Sequence, residues 1–438
     1  MMKFLSILFL LALSAGLVQA GNITQGTLTL DVVTAEVLAS NPTIHEANAK
    51  WEALKQRVPQ AAAWDDLRIS ARSRVGRFVH MDKNGMVDQT LGVEQMIPIS
   101  GKNKSRERIA AAEALAGLEE MRRKELDVVN EARASFFRLA KAYALLDLNQ
   151  ANETSLNQTL QISRARFETG GQSQADVLIA ENELTRIQEA RRDLEQARSD
   201  EQTRLGVLMN RDPFAPLGRP ALTPLLANAA GLSLERVREQ LFANRPEIRM
   251  AEAGLVAAKS RLELARREWI PDPALSVEAG RYNDASQAVS EIAVGVSFNV
   301  PWLNGKKYRA GEREAGAGIA AATQAVESAR TSALGLLRDQ LKRIETFHHH
   351  VELFRDTLIP VARQTVEANR ANYSAGRGSF LEVVLSERNL RDLESTAREH
   401  LADYQSAIAA LESIIGAPPR PIPASTPTKH IHSTKNDD

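Results

Sequence analysis

EIAVGVSFNVPWLNGK, residues 291–306, alternates without a break: Ile292, Val294, Val296, Phe298 and Val300 fall on one side, Glu291, Ala293, Gly295, Ser297 and Asn299 on the other. A repeat of two apolar-then-polar positions is the pattern of a strand with one apolar face and one polar or small face. Pro301 ends it, and a segment that reads as helix follows Gly305. The partner strand is expected at about 274–282, so the hairpin occupies about 274–282 and 288–300. An earlier stretch, GVEQMIPISGK at residues 92–102, has the same form. It predicts a second hairpin from strands at about 66–78 and 88–98. On the first of these, Arg68, Ser70, Arg72, Arg74 and Gly76 share the face opposite Leu67, Ile69, Ala71 and Val75.

The two hairpins belong to a duplication. Asn41-Pro42 and Ile44 recur as Arg245-Pro246 and Ile248; Gly92, Pro98, Gly101 and Lys102 recur as Gly295, Pro301, Gly305 and Lys306; Gly170, Asp176 and Glu181 recur as Gly376, Glu382 and Glu387. All lie 203 to 206 residues apart, so the chain is two copies of one unit. The first repeat is expected over 21–212 and the second over 232–417, with a proline-containing linker at 213–231. Each opens with a short helix (about 31–39 and 234–243). A second helix follows, with proline in its first turn, where a missing N–H costs nothing.

Below each hairpin runs a rod. From Gly101 to Val207 there is no proline. A helix over about 102–167 would be on the order of 100 Å long at 1.5 Å per residue. Its counterpart, about 304–373, contains Pro360, which should kink or break it. Gly170 and Gly376 read as tight turns at hairpin tips, about 168–176 and 374–382, where a left-handed residue ends one helix. The return helices step by three or four through Leu184, Ile187, Ala190 and Leu194, and through Leu390, Leu393, Ala397, Leu401 and Tyr404. That is a coiled-coil seam. The fold class is mostly α with a small β part.

Charge is balanced at 55 basic and 55 acidic residues, which excludes a nucleic-acid footprint. Residues 1–20 read as a signal peptide: Lys3, an apolar run from Phe4 to Leu17, then Val18-Gln19-Ala20 at the cleavage positions; an N-terminal membrane anchor is the alternative. The tail, 418–438, is expected to be disordered. With no cysteine in the sequence, thiol catalysis, cysteine metal sites and an anchor on an N-terminal cysteine are not expected. No nucleophile motif, phosphate loop or metal-spaced cluster is present, so neither an enzyme nor a cofactor is expected. His348, His349 and His350 are consecutive on a helix, point three ways, and are not expected to converge on one ion.

Four strands with a lipid-type face cannot close a barrel, which needs about eight or more. An open sheet edge in hydrocarbon leaves backbone groups unpaired. The chain must therefore oligomerise within lipid; a dimer would give eight strands and a trimer twelve. The arginines Arg68, Arg72 and Arg74 would then face the lumen.

Arg166-Phe-Glu-Thr-Gly170 followed by Ala175-Asp-Val-Leu178, and Asn372-Tyr-Ser-Ala-Gly376 followed by Leu381-Glu-Val-Val384, resemble the paired repeats of TolC-like outer-membrane efflux proteins. The resemblance spans about Leu28 to Pro418. Pro98-Ile-Ser-Gly-Lys102 and Trp269-Ile-Pro-Asp-Pro273 look closest to the heavy-metal, CzcC and CusC type, branch. The resemblance implies a homotrimer with a twelve-stranded barrel and an α-helical periplasmic tunnel, docked on a periplasmic adaptor and an inner-membrane pump. It implies a gated efflux conduit, of the RND-driven kind and for heavy-metal cations. Two alternatives stay open: the outer-membrane component of an ABC-driven protein secretion system, and a structural coiled-coil spacer.

By the same resemblance, Arg166, Gly170, Gly376 and Ser379 lie at adaptor-contacting tips, and Asp176, Glu382 and Tyr373 at a periplasmic gate. Facing the bore of a trimer, Asp176 and Glu382 would each form a ring of three carboxylates that favours cations. Each could instead simply complement a helix N-terminus. Leu385 and Gly378 stand where the family has a second acid and an arginine, a departure from its pattern for a closed tip.

Overall fold

Asn41 and Arg245 each stop one short helix and start the next, and both are tied to the end of their own repeat. The computed structural model describes residues 27–73, 89–171, 173–221, 234–283 and 288–416. The expected signal peptide, the tail beyond 416, Arg74 and much of the linker lie outside these. α1 spans Leu30–Ser40 and α2 Pro42–Ala62. The Asn41 side chain caps α2, accepting from the N–H groups of Thr43 and Ile44 at 2.9 and 3.3 Å, and donates to Leu208 O at 2.8 Å. In the second repeat α5 (Leu234–Asn244) leads to α6 (Pro246–Arg267), and the Arg245 guanidinium donates to Ile414 O at 2.6 Å.

The strands are β1 (Arg68–Ser73), β2 (Gln89–Met96), β3 (Ala274–Asn283) and β4 (Ala288–Ser297), in one antiparallel sheet of order β1-β2-β3-β4. The middle junction, β2 on β3, joins the two repeats. Rungs run straight across: Ile69, Val93, Val277 and Val294 form one row, Ala71, Leu91, Ala279 and Ile292 the next. The reading of a strand to residue 300 is corrected, because pairing within the chain stops at Ser297 opposite Ala274. Phe298, Asn299 and Val300 run on with no strand beside them.

Each strand continues into a rod. α3 (Lys102–Glu168) is an unbroken helix of 67 residues, returning through α4 (Gln174–Leu208). Between β4 and α7 (Gly305–Leu353) a 3₁₀ turn, Pro301–Asn304, takes up one residue more than the first repeat uses. The second rod is interrupted where Pro360 predicts. A π-helical turn, Phe354–Leu358, precedes α8 (Ile359–Ser374), and the Ile359 N–H reaches back five residues to Phe354 O. The wider turn accommodates a proline that lacks the N–H for an ordinary helical bond. α9 (Phe380–Ile415) returns and ends at Gly416 (φ 75°), where an added Cβ would lie 2.7 Å from Asn244 O.

α2 packs on α3, α3 on α6 and α6 on α7. The helices therefore keep the order of the strands they adjoin, and α2 and α7 flank the same two open sides as β1 and β4. Two clusters bury the waist. One centres on Val33, Val37, Phe136, Phe137, Leu139 and Leu205, the other on Val237, Leu241, Ile248, Leu337 and Leu411. A third, smaller cluster closes the far tip.

Candidate functional site

The sheet has two faces of different chemistry. Ile69, Leu91, Val277, Ile292, Val294 and Val296 are exposed on one, Ile292 to 77% and Val294 to 69%. Such a patch is unstable against water and suits hydrocarbon. The other face carries Arg68, Ser70, Arg72, Glu94, Ser276, Glu278 and Glu291, with glycine where room is short. Arg68 Nη1 lies 3.7 Å from Glu94 Oε1 across the first rung. A Cβ on Gly92 would lie 2.7 Å from Ser70 Oγ, and one on Gly295 2.7 Å from Ser276 Oγ. The two hairpins thus repeat one contact, Ser70 with Gly92 and Ser276 with Gly295. Arg68 and Arg72 stand together on the polar face.

Just below the sheet the repeats are clamped. The Asp272 carboxylate accepts from the Ser100 N–H and hydroxyl, both at 2.8 Å, and lies 3.3 Å from Lys102 Nζ. Lys102 also donates to Ile270 O at 2.9 Å. Burial pushes the Asp272 carboxyl up, but the Ser100 donors and the Lys102 ammonium outweigh it and leave the group below its ordinary range.

At the opposite end the two hairpin tips lie side by side. Gly170 (φ 75°) and Gly376 (φ 71°) take the left-handed conformation. A Cβ on either would meet nothing within 4 Å, so the backbone angle alone selects glycine. Arg166 sits in the last turn of α3, where a cation complements the helix dipole, and its guanidinium lies 5.4 Å from the Tyr373 ring of the other tip. Tyr373 also packs on Phe380, centroids 5.6 Å apart. Phe380 and Val384 bury against Leu160 and Ala180 of the first repeat.

Ser379 caps α9 in a full capping box: its Oγ accepts from the Glu382 N–H at 3.2 Å, and its own N–H donates to Glu382 Oε2 at 3.1 Å. Glu382 thus holds its own helix end, the plainer of its two expected roles. Asp176 is half-buried in the first turn of α4, its N–H bonded to Ser173 O at 3.2 Å.

Sequence reasoning missed the charged centre behind the tips. Glu183, 5% exposed at its side chain, pairs with Arg388 and, at 3.2 Å, with Arg391, both from the second repeat, and with Arg186 at 3.5 Å. Burial pulls the Arg391 guanidinium below its usual range despite Glu183 and Glu387. Glu387 pairs with Arg370 at 2.7 Å, and its first-repeat counterpart Glu181 with Arg164 at 2.6 Å. The Glu181–Glu387 equivalence was visible in the duplication; the cross-repeat bonds of Glu183 carry no local signal. Of the three consecutive histidines, His348 packs on Tyr404 and His350 on His400 of α9, centroids 5.5 and 4.6 Å apart. Burial, then the nearby His350, lowers the His400 pKa. Among the described residues no group of three or more His, Cys, Asp or Glu side chains is placed to hold a metal. No described helix is long and apolar enough to cross a membrane.

An exposed apolar sheet with two open edges, continuous with long paired rods, is the part of the chain least suited to water. Residues 33–211 and 237–417 match the outer membrane efflux protein family, and the chain belongs to that family. The toluene efflux pump outer membrane protein TtgF of Pseudomonas putida is 27% identical over 51% of this chain and 46% of its own. The outer membrane protein TolC of Salmonella enteritidis is 24% identical over 63% and 57%. The pyoverdine export outer membrane protein OpmQ of Pseudomonas putida is 23% identical over 87% and 79%. The chain spans about half the length of the first of these.

Among solved structures, the outer-membrane channel OprN superposes with a TM-score of 0.75 at 18% identity over 88% of this chain and 89% of that one. CusC superposes at 0.69 and 18% identity over 92% and 95%. These likenesses concern the fold. Family membership bears out an outer-membrane location and the reading that the chain is not an enzyme.

Proposed function

We propose that three copies of this chain form a passive, gated conduit through the outer membrane, fed by a periplasmic adaptor and an inner-membrane pump. The observation that carries it is the four-stranded sheet with one apolar face and two unpaired edges, set in register above rods of the same order. Three copies make twelve strands, enough to enclose an aqueous path. Arg68 and Arg72, and Arg74 by extension of the pattern, then line the lumen.

The rods bring the tips of Gly170 and Gly376 to the periplasmic end, where Arg166, Gly170, Gly376 and Ser379 form the surface offered to an adaptor. Tyr373, Asp176 and Glu382 sit at the constriction. For this chain the closed tip depends on Glu183 with Arg388 and Arg391, since Gly378 and Leu385 bring no charge. Purified protein in planar bilayers should give discrete conductance steps. Absence of a pore in a correctly folded trimer would leave the spacer reading.

On the motif resemblance, the cargo is heavy-metal cations driven by an RND-type pump. Relatives named for toluene, solvent and pyoverdine export favour small-molecule efflux over protein secretion. A deletion strain sensitised to metals and not to solvents would support the metal cargo; the reverse pattern would reject it.

A further inference from the structure

The clamp below the middle of the sheet has a counterpart that a single chain cannot complete. Strand pairing fixes which residues are equivalent. Ser70 against Gly92 and Ser276 against Gly295 are the same contact, so residues entering β1 match those entering β3 at an offset of 206. Asp66 is then the equivalent of Asp272. On the outgoing side the offset is 204 by the time the rods begin, so Asn304 stands for Ser100 and Lys306 for Lys102. Within the chain, the turn after β2 meets the segment before β3 and forms the Ser100–Lys102–Asp272 clamp. The turn after β4 has no following strand, and the segment before β1 has no preceding one. Asp66 and Lys306 are exposed, and neither has a hydrogen-bonding or ionic partner among the described residues. Paired, their counterparts Asp272 and Lys102 keep only 11% and 12% of their side chains exposed.

We propose that Lys306 and Asn304 of one copy hold Asp66 of the partner subunit, an inter-subunit clamp just beneath the barrel that sets the register of its closing seam. The inference rests on the proposal that copies close a barrel. Transferring the β2–β3 register to the open edges sets Phe298 opposite Ile69 of the partner subunit, as Gln95 is opposite Leu275 within the chain. It also sets Val296 opposite Ala71 of the partner subunit. Both rungs bring apolar-face residues together, and a shift of one residue would set Phe298 against a polar-face position. The unpaired run Phe298–Val300 gains the strand it lacks. Asp65 beside Asp66, facing Lys307 beside Lys306, adds charge of the right sign. The seam is the simpler of the two clamps: Arg267, which donates to Ser100 O at 2.9 Å, has Ala61 at its equivalent position.

The cysteine-free sequence makes the test direct. Opposed residues in an antiparallel pair lie within disulfide reach. In the full-length chain, extracted from the membrane and oxidised, Phe298→Cys with Ile69→Cys should give covalent trimer on non-reducing gels; either single variant should give none. Phe298→Cys with Ala71→Cys, one rung out of register, should give far less. Separately, Lys306→Glu should lower the temperature at which the trimer dissociates, and adding Asp66→Lys in the same chain should restore it. Cross-linking at the Ala71 rung in preference to Ile69 overturns the register. A Lys306→Glu trimer that melts like the parent, or one that Asp66→Lys fails to rescue, overturns the clamp. In both cases a native mass of three chains leaves the barrel reading standing, whereas a monomeric parent protein would remove that reading itself.

Discussion

At the sheet, Ile69, Val93, Val277 and Val294 lie in one exposed row. At the tip, Leu160, Ala180, Phe380 and Val384 bury one another, and Glu183 gathers arginines from the other repeat. In the proposed assembly the sheet would obtain its shielding from lipid and its missing rungs from other copies. The tip packs both repeats of one chain together, by this apolar cluster and by ion pairs that can exchange partners. A hydrophobic sheet, once closed, has no alternative arrangement of similar energy. An ion-paired tip does, because each arginine released finds water or another acid, and that is the property a gate needs.

Five substitutions sharpen this contrast. Val294→Arg places a charge in the middle of the apolar face; it should cost about 2–4 kcal/mol at the bilayer midplane, read as loss of trimer in urea-titrated vesicle insertion. The same change on the polar face, Ala293→Arg, should leave insertion intact, and equal loss at both positions would erase the distinction between faces. Phe380→Ala opens the small tip core and should cost about 3 kcal/mol locally, since large aromatic truncations lose both burial and packing. Its signature is faster proteolysis near residues 374–382 with an unchanged barrel.

Glu183→Gln leaves Arg388 and Arg391 without their anion. After discounting for the exposed Arg388, the loss is about 2 kcal/mol. The expected readout is larger single-channel conductance with normal trimer yield; unchanged conductance would mean the cluster only braces the hairpins. Ser379→Ala removes one half of the capping box and should cost about 1 kcal/mol, with hydrogen exchange quickening in the first turn of α9 and nowhere else.

Acid should act at the His350–His400 seam. His400 is held below its usual pKa, so the unfolded chain binds the proton more readily. The seam keeps its full strength above the ordinary histidine value of about 6.5 and loses it as pH falls through and below that value. Glu399 and Asp403 oppose the shift only in part. Thermal melting should fall between pH 7.5 and 5.5, and His400→Phe should flatten that fall. Asp272 acts with the same sign in a more acidic window: its stabilisation is complete above the ordinary carboxylate range and fades as pH drops through its own lowered value.

Local rules of geometry made most of the architecture readable. Alternation from Glu291 to Val300 needs no partner to be recognised, and Gly170 and Gly376 announce their turns through a conformation that other residues resist. Pro360 marked the break in the rod, though not that the helix would widen into a π turn just before it. Glu382 was found and its two roles kept open, because a carboxylate three residues after Ser379 suits a cap and a pore equally. What stayed hidden depends on distance along the chain. Glu183 meets Arg388 across 205 residues, and His400 meets His350 across fifty, and the seam between return helix and rod has no short-range signature.

The π-helical turn at Phe354–Leu358 fixes more than the accommodation of one proline. From Lys102 and Lys306 to Gly170 and Gly376 the offset between repeats grows from 204 to 206, so the second rod carries extra residues. Each residue added to a helix advances its azimuth by about 100°. The wide turn is therefore a phase adjuster. Deleting one residue in the regular helix of α7 would instead rotate the lower end of the rod, turning Tyr373 away from Arg166 and Phe380 while every rung of the sheet above stays in place.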